Sequence, residues 1–307
     1  MTQGTTPLFS SGFETACVVA SSGLLSPPWK LIAELNTETH PNENLFWKKR
    51  SHGSDLTIIA FGTTQNHVQT DLLPCTEMME NPFEFLCSEK NRSFCFNQSV
   101  MSLFNDNRQS LGQLKSEIDL KKPVIVTGHG VGGSIASLFT LWLIEKMGSS
   151  DKRPLCITFG SPLIGDKSLQ EAIARSSNWN SCFLHVVHPR DPLLSTFISI
   201  DSYRPLGTFL LCSDYGSTCS ENPDSILRLF REMSTLPQGL QIQGYENIVK
   251  RLTSKSIWKG SDVPRIPQNL LQASFALQLQ ALGFSSSHLS KNNLVNDLGK
   301  QEVSLTE

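Results

Sequence analysis

A glycine-rich turn between an apolar strand and an apolar helix is where this sequence would be expected to do chemistry. Val124–Val126 is β-branched and predicts a buried strand, Gly128-His129-Gly130-Val131-Gly132 predicts a tight turn, and Ser134 to Met147 predicts a helix. When such a turn has the spacing Gly-x-Ser-x-Gly, the serine is a nucleophile that attacks acyl carbons. Here the middle residue is Gly130, which has no side chain. The sequence therefore predicts the backbone of a nucleophile turn without the nucleophile.

Neighbouring side chains do not provide an obvious substitute. Ser134 and Ser137 would lie on the following helix, away from the tight turn where a nucleophile meets its oxyanion donors. His129 adjoins Gly130, but side chains adjacent in such a turn point apart, so we expect no chemical role for it. Ser161 follows a later strand and could reach the same edge of a sheet, although no base is evident nearby. We expect the turn to act as scaffold rather than as catalyst.

The elements around the turn alternate between strands and helices. Strands are predicted at Asp55–Phe61, Leu155–Phe159, Cys182–Val187 and Gly207–Cys212, and helices at Phe9–Leu25, Trp29–Leu35, Asp106–Leu120, Lys167–Arg175, Asn222–Met233, Tyr245–Leu252 and Pro267–Gly283. This order predicts an α/β-hydrolase fold, with a mostly parallel sheet and helices on both faces. Gly62-Thr63, the glycine turn and Asp191 then lie at the carboxyl edge of the sheet, where sites form. Residues 65–103 show no period and predict a long, partly lid-like excursion over the sheet.

Composition excludes several classes of function. The 26 basic and 28 acidic residues give a net charge of -2, which argues against nucleic acid as a partner. Lys48-Lys49-Arg50, the one basic triplet, is interpreted as a solvated strand end. No apolar run approaches the roughly 20 residues of a membrane span, and the N-terminus lacks a signal peptide's basic region. We therefore expect a cytoplasmic and nuclear protein that does not bind membranes.

The eight cysteines form no Cys-x-x-Cys pair and have no histidine spacing suited to zinc. Reduced thiols are the default in the expected compartments. We expect no metal and no cofactor.

Four motifs in order resemble those of the class 3 lipases. They are Phe61-Gly62-Thr63, Gly128-His129-Gly130-Val131-Gly132-Gly133, Phe159-Gly160-Ser161-Pro162 and Asp191-Pro192, which together span about residues 55 to 195. Further segments resemble the plant lipase-like immune regulators, the enhanced-disease-susceptibility family; they are Phe9-Ser10-Ser11-Gly12, Gly207-Thr208-Phe209, Cys219-Ser220-Glu221-Asn222-Pro223 and Leu279-Gln280-Ala281-Leu282-Gly283. The glycine at position 130 makes the chain look most like the senescence-associated, carboxylesterase-like branch of that family.

The resemblance implies roles for the remaining site positions. Asp191 matches the acid that orients the catalytic histidine of lipases, and Gly62, Thr63 and Val131 match donors to an oxyanion. Lipases place the histidine after this acid, where the sequence has only His288 in a polar tail. His185 and His188 precede Asp191 and are interpreted as structural. Gly130 and Asp191 are thus degenerate positions of a triad that lacks two members.

The resemblance also implies an organisation and a function. Residues 1–265 would form the lipase-like domain, and 266–307 a helical tail that begins a truncated C-terminal helical domain. The implied function is a non-catalytic scaffold that pairs with a serine-bearing family member, through an apolar groove, in plant innate immune signalling. The alternative is a carboxylesterase that acts on acyl esters through an unrecognised nucleophile, such as Ser134 or Ser161.

Overall fold

The computed structural model describes residues 16, 19–20, 22–53, 55–65, 67–78, 80–89, 91–145, 147–148, 150–188, 191–198, 200–212, 217–234 and 244–254. The helix predicted at Phe9–Leu25 lies largely outside these residues, although Ala16, Val19 and Ala20 are helical and buried. The tail predicted for 266–307, including Pro267–Gly283 and His288, lies wholly outside them.

A seven-stranded sheet forms the centre of the molecule, in the order β1-β2-β5-β6-β7-β8-β9. The five strands from β2 to β8 pair in parallel, while β1 and β9 add an antiparallel strand at each edge. The strands are β1 (Leu45–His52), β2 (Leu56–Thr63), β5 (Val124–His129), β6 (Leu155–Phe159), β7 (Phe183–Val187), β8 (Thr208–Cys212) and β9 (Ser217–Ser220), with β3 (Leu72–Pro74) and β4 (Cys95–Asn97) forming a separate antiparallel pair. The predicted mostly parallel sheet is confirmed.

Helices cover both faces of this sheet. In chain order they are α1 (Ser26–Thr37), α2 (Gln98–Asp106), α3 (Arg108–Ser116), α4 (Val131–Ile144), α5 (Lys167–Ala174), α6 (Ser177–Asn180), α7 (Pro192–Ile198), α8 (Pro223–Ser234) and α9 (Tyr245–Ser254). In β2, Ile59 and Phe61 join the core under α2, α3 and α4, whereas Ile58 and Ala60 join the core under α1 and α9. Because successive side chains of a strand point to opposite faces, a continuous apolar run is buried on both sides.

The helices on either side of β5 differ from the prediction. The helix predicted at Asp106–Leu120 is shorter and spans Arg108–Ser116 as α3. An additional helix, α2, begins inside the segment interpreted as irregular and ends at Asp106. The Asn97 side chain caps it by accepting a hydrogen bond from the Val100 amide at 2.9 Å. Helix α4 follows the glycine turn, which is called the elbow below, and begins at Val131, three residues before the predicted start at Ser134.

The glycines of the turn are required by the close approach of α4 to the sheet. A Cβ atom on Gly128 would lie 2.3 Å from the carbonyl carbon and oxygen of Gly132, and one on Gly132 would lie 2.4 Å from the carbonyl oxygen of Phe61. No side chain fits at either distance. The helix can therefore rest directly on strands β2 and β5, which brings its first turn to the sheet edge.

The basic triplet is neutralised by acidic partners. Lys48 pairs with Glu34 and Glu38, Lys49 with Glu117 at 2.6 Å, and Arg50 with Glu34 at 2.5 Å. Side chains on an edge strand that are matched in this way offer no free basic patch. The triplet was interpreted as a solvated strand end, and it lies within strand β1 rather than at its end. Within the described ranges, no helix has the length and apolar character needed to cross a membrane.

Candidate functional site

One cavity of about 600 Å³ opens at the carboxyl edge of the parallel strands. All five positions selected from the sequence contribute to its lining: Gly62, Thr63, Gly130, Val131 and Asp191. They come from the ends of β2 and β5, the first turn of α4 and the segment after β7. The structure therefore brings the predicted positions together, with apolar side chains such as Phe46 and Leu193 completing the wall.

Gly130 keeps the backbone of a nucleophile turn. Its φ of 55° and ψ of -129° lie in a region that L-residues rarely adopt, and its amide donates to the Phe159 carbonyl at 3.0 Å. A Cβ atom added at this position would meet only the Leu193 Cδ2 atom, at an ordinary contact distance of 3.5 Å. The position has room for a side chain, and what is missing is the nucleophile itself.

The Asp191 carboxylate accepts three hydrogen bonds from residues that the structure describes. Its Oδ1 atom accepts from the backbone amides of Leu193, at 3.0 Å, and Leu194, at 3.4 Å, at the start of α7. Its Oδ2 atom accepts from the hydroxyl of Tyr245 at 2.7 Å. An acid of a triad orients its histidine through a carboxylate oxygen. A tyrosine hydroxyl is bound to it here.

Tyr245 begins helix α9 and binds the Asp191 carboxylate, as a triad histidine would. Its hydroxyl donates to Asp191 and accepts from the His188 amide at 3.3 Å, and the residue is only 8% exposed. Burial, and then the negative charge of Asp191, raise the pKa of Tyr245 well above its usual value of 10.0. A phenol held in its neutral form donates a hydrogen bond and cannot take a proton from a serine.

Sequence reasoning missed Tyr245. The helix that begins at Tyr245 was predicted, but an aromatic residue at a helix start normally indicates core packing. The available signal was its position downstream of Asp191, where a lipase places its histidine. Only the folded chain shows that the hydroxyl meets the carboxylate.

The positions matched to oxyanion donors are partly covered. The Phe46 ring lies over Gly62, since a Cβ atom there would be 2.3 Å from the Phe46 Cε2 atom, and Phe46 in turn stacks on His40 at 3.7 Å between centroids. The Thr63 hydroxyl donates to the Gln65 carbonyl at 3.1 Å. Val131 is the first residue of α4, so its amide has no acceptor within the helix. Their role as donors stays a prediction.

Comparison with known proteins gives this edge a family context. A family model described as lipase (class 3) matches residues 58–198, which include the ends of β2, β5, β6 and β7. Residues 58–198 are therefore similar to a class 3 lipase domain. The α/β-hydrolase fold predicted from the alternating elements is confirmed by this match and by the sheet.

Two curated relatives from Arabidopsis thaliana extend the match beyond the lipase domain. Senescence-associated carboxylesterase 101 is 37% identical over 277 residues, which cover 83% of this chain and 49% of the relative. Lipase-like PAD4 is 38% identical over 199 residues, which cover 62% of this chain and 35% of the relative. The predicted resemblance to the plant lipase-like proteins is confirmed. The chain spans about half the length, or less, of these relatives.

A solved structure is similar at lower identity. The lipase from Rhizopus microsporus var. chinensis is 14% identical, with a TM-score of 0.45, and the match covers 73% of this chain and 88% of that one.

The two alternative serines of the lipase domain are buried away from the cavity. Ser134 and Ser161 are 0% and 4% exposed, and their Oγ atoms lie 3.1 Å apart. Both hydroxyls also donate to the carbonyl of Pro162, at 3.2 and 3.3 Å. Neither lines the cavity. Their hydrogen bonds join α4 to the segment after β6, which is a structural arrangement.

Three histidines of the lipase domain differ in their surroundings. His185 lies inside the sheet, with its Nδ1 atom 2.7 Å from the Thr158 hydroxyl, and burial lowers its pKa to about 4. His188 is buried and lines the cavity. His129 also lines the cavity and packs edge-on against Trp29 and Tyr245 at 5.8 and 5.5 Å between centroids. Burial lowers the pKa of His129, against the opposing effect of the Asp191 charge.

Among the described residues, no cluster of histidine, cysteine, aspartate or glutamate has the arrangement that would hold a metal ion. The site therefore consists of a nucleophile turn with glycine in place of serine, a carboxylate bound by a tyrosine, and an apolar wall. That arrangement can stabilise a fold or receive a ligand, but it contains no nucleophile positioned at the turn.

Proposed function

We propose that this chain is a non-catalytic, lipase-like scaffold that pairs with a serine-bearing member of its family in plant innate immune signalling. The observation that carries the non-catalytic part is the 2.7 Å hydrogen bond between the Tyr245 hydroxyl and Asp191 Oδ2. Together with Gly130 at the elbow, it leaves the domain with the acid of a triad and with neither the nucleophile nor the orienting contact to a base.

The magnitude of this deficit supports a scaffold. Removal of the nucleophile and the base lowers turnover on the order of 10⁶-fold in a comparable triad enzyme. Donors to an oxyanion supply only a residual part of that rate, and here the Phe46 ring lies over one of the donor positions. Binding, in contrast, needs a rigid body. The sheet and its two helical layers provide that body whether or not the elbow carries a serine.

The resemblance implies the pairing, and the charge of the chain bears only on the kind of contact. The matched relatives include a protein named lipase-like PAD4. A net charge of -2 gives little long-range attraction, so a partner would be held by apolar contact, such as a helix of the partner laid into an apolar groove of this domain. The cytoplasm and the nucleus are the compartments that such a role would require.

The alternative function is a carboxylesterase that acts on acyl esters through an unrecognised nucleophile. It is suggested by the printed name of the relative, senescence-associated carboxylesterase 101. Ser134 and Ser161 are the candidates named from the sequence, and both would have to leave buried hydrogen bonds to reach an ester.

A serine-directed fluorophosphonate probe, together with hydrolysis of short-chain p-nitrophenyl esters, separates these two functions. We expect no labelling and no turnover above background, with an active class 3 lipase as the positive control. Labelling abolished by Ser134→Ala or by Ser161→Ala alone would establish the esterase and overturn the scaffold. Turnover that survives both changes together would mean that a nucleophile elsewhere in the chain does the chemistry.

Size-exclusion chromatography of this chain mixed with the serine-bearing family member tests the pairing. We expect one shifted peak at micromolar concentration that changes little between low and moderate salt. One apolar residue on the partner's inserted helix, changed to alanine, should weaken the complex sharply, because a few central contacts carry most of such an interface. A charged residue on the opposite face of that helix, changed to alanine, is the matched control. Two unshifted peaks would refute the pairing.

A further inference from the structure

Two neighbouring strands of the sheet begin with the same short pattern. Lys121-Lys122-Pro123 leads into β5, and Lys152-Arg153-Pro154 leads into β6. Because these two strands pair in parallel, both patterns lie side by side at the amino edge of the sheet. A backbone hydrogen bond of 2.6 Å, from the Lys152 amide to the Leu120 carbonyl, joins the two segments. The four cations, Lys121, Lys122, Lys152 and Arg153, are called the basic edge below.

The cations of the basic edge are exposed and lack acidic partners. All four residues are exposed, and within the described part of the chain none of the three lysines pairs with a carboxylate. The Arg153 guanidinium donates to the side-chain oxygens of Asn178 and Ser181, both at 3.1 Å, and these oxygens are neutral. In the Lys48-Lys49-Arg50 triplet, by contrast, each cation is paired with a glutamate. The positive charges of the basic edge therefore face solvent, where a partner can reach them.

The backbone that carries these cations is held in place by local hydrogen bonds. The Asp119 carboxylate accepts from the Lys121 amide at 3.0 Å, and the Asp151 carboxylate accepts from the Gly148 amide at 2.8 Å, so each closes a turn. These carboxylates offset part of the positive charge, although each is bound to its own turn. The proline of each pattern fixes one backbone dihedral at the start of its strand. Cations on a backbone that is already ordered lose less conformational entropy on binding than cations on a flexible loop.

We propose that the basic edge binds an acidic segment of a protein partner, a short run of aspartate or glutamate residues that lies across the starts of β5 and β6. Neighbouring strands are about 4.8 Å apart, and alternate side chains of an extended peptide are about 7 Å apart, so carboxylates of one segment can reach both patterns. Binding replaces the repulsion between like charges that lie side by side with attraction. The partner is thus defined by its charge and by its extended shape.

The surroundings favour a protein segment over a membrane or a nucleic acid. Leu120 and Leu155, the leucines next to the cations, pack against the core and are not available to enter a bilayer. Asp119 and Asp151 flank the cations, and Asp55 precedes β2 on the other side of β5. These carboxylates limit the positive surface to a few residues and would repel the phosphates of a nucleic acid that extends beyond it. A short acidic segment fits within those limits.

The basic edge is separate from the cavity. The two lie at opposite ends of β5, a strand of 6 residues that is about 20 Å long. A segment bound at one end therefore leaves the other end open. Contact with exposed cations should weaken as salt is added, whereas the proposed pairing through an apolar groove should change little with salt. The two interactions can be measured separately, and the basic edge does not rest on the proposed function.

Fluorescence anisotropy with the full chain tests the proposal. The probe is a fluorescein-labelled octaglutamate peptide, and labelled octaglutamine is the neutral control. We expect the chain to bind octaglutamate and not octaglutamine, with an affinity that falls about five-fold or more between about 20 mM and about 200 mM NaCl because salt screens exposed charges. Equal binding of the two peptides, or binding that is unchanged by salt, would overturn the proposal.

Matched pairs of substitutions locate the contact. Lys122→Gln together with Lys152→Gln should weaken binding of octaglutamate about five- to ten-fold at low salt, since each charge about 7 Å from a carboxylate contributes a factor of about three in water. Lys30→Gln together with Lys167→Gln changes two exposed lysines away from the basic edge by the same total charge, and it should leave the affinity within about two-fold of wild type. All four side chains are exposed, so both double variants should keep the Tm of the wild-type chain.

The same variants separate the proposal from its alternatives. Equal weakening by the two pairs would show that the probe responds to the net charge of the chain, and it would overturn the assignment to the basic edge. Vesicles that contain phosphatidylserine and a DNA duplex are assayed beside the peptide. If either one binds through Lys122 and Lys152 while octaglutamate does not, the surface recognises a different class of partner and the proposal is wrong.

Discussion

The bond between Tyr245 and Asp191 should contribute measurably to stability, and Tyr245→Phe removes it without changing the packing of the ring. The variant leaves Asp191 Oδ2 without its 2.7 Å donor and the His188 amide without its 3.3 Å acceptor. A hydrogen bond to a charged group contributes about 1.5–3 kcal/mol. Water in the adjoining cavity can replace part of it. We therefore expect the free energy of unfolding to fall by about 2 kcal/mol, in the lower part of that range, because water replaces part of the lost bond.

A double-mutant cycle in urea isolates the contact. Tyr245→Phe, Asp191→Asn and the double variant are unfolded at neutral pH and followed by circular dichroism. If the hydroxyl acts through the carboxylate, the effects of the single changes do not add, and the coupling energy should be about 1–2 kcal/mol. Coupling below about 0.5 kcal/mol, the level expected for independent sites, would refute the assignment of Tyr245 as the group that holds Asp191.

Tyr203→Phe is the matched control. The Tyr203 hydroxyl is also buried in hydrogen bonds, accepting from the Asn97 amide at 2.7 Å and donating to the Thr70 carbonyl at 3.1 Å, but neither partner is Asp191. This variant should lose stability as well, yet its effect should add to that of Asp191→Asn. Coupling of similar size in the control would show that the cycle reports general destabilisation.

Three further predictions follow from single positions. Gly130→Ser should fold, because a Cβ atom meets only Leu193 at 3.5 Å, and should hydrolyse no p-nitrophenyl butyrate; activity in this variant would reveal a base that the described residues do not suggest. Gly128→Ala should lower the free energy of unfolding in urea by more than about 3 kcal/mol, because its Cβ atom would lie 2.3 Å from the backbone of α4. In the helical control Gly112→Ala, the nearest atom is 3.5 Å away, so the change should be neutral or stabilising by up to about 1 kcal/mol. Equal effects of the two changes would contradict the close packing of α4 on the sheet. Burial lowers the pKa of His185 to about 4 in the folded protein, against 6.5 in the unfolded chain, so the unfolded state binds more protons between these values. The contribution of neutral His185 to the free energy of unfolding is complete above pH 6.5, falls by about 2 kcal/mol by pH 5 and is lost as the pH drops through 4. A His185→Asn variant should therefore lose less stability between pH 7 and pH 5 in the same urea assay.

The central strands could be predicted because their apolar runs are buried on both faces. The run around Ile58 and Ile59 needs no alternation, since one face meets α1 and the other meets α4. Edge strand β1 was predicted only at its basic triplet, for the opposite reason. Its second half, with Lys49 and Arg50, carries charges that are satisfied only by side chains from α1 and from the residue after α3. Those partners are distant in sequence, so no local pattern indicates them.

Helix α2 was not predicted because its capping residue, Asn97, could not be recognised as a cap from the sequence. Asn97 does two things at once, because its side-chain oxygen caps the helix and its side-chain amide donates to Tyr203 and Gln69. An asparagine among cysteines and phenylalanines predicts a turn as readily as a cap. The tertiary partners decide which one forms.

The candidate site shows the same division between local and distant information. The absence of a nucleophile at Gly130 is visible in the sequence, because a glycine has no side chain whatever surrounds it. The state of Asp191 is not, because it depends on a hydroxyl that arrives from α9, in the part of the chain after β9. Among the described residues, three groups donate to this carboxylate, and all are neutral: two backbone amides and one phenol. An acid that orients a catalytic histidine must stabilise a positive charge that appears during the reaction. An acid that binds fixed, neutral donors keeps the same hydrogen bonds in every state of the molecule, as a structural group does. A serine restored at position 130 would therefore face a carboxylate that is already committed to the fold.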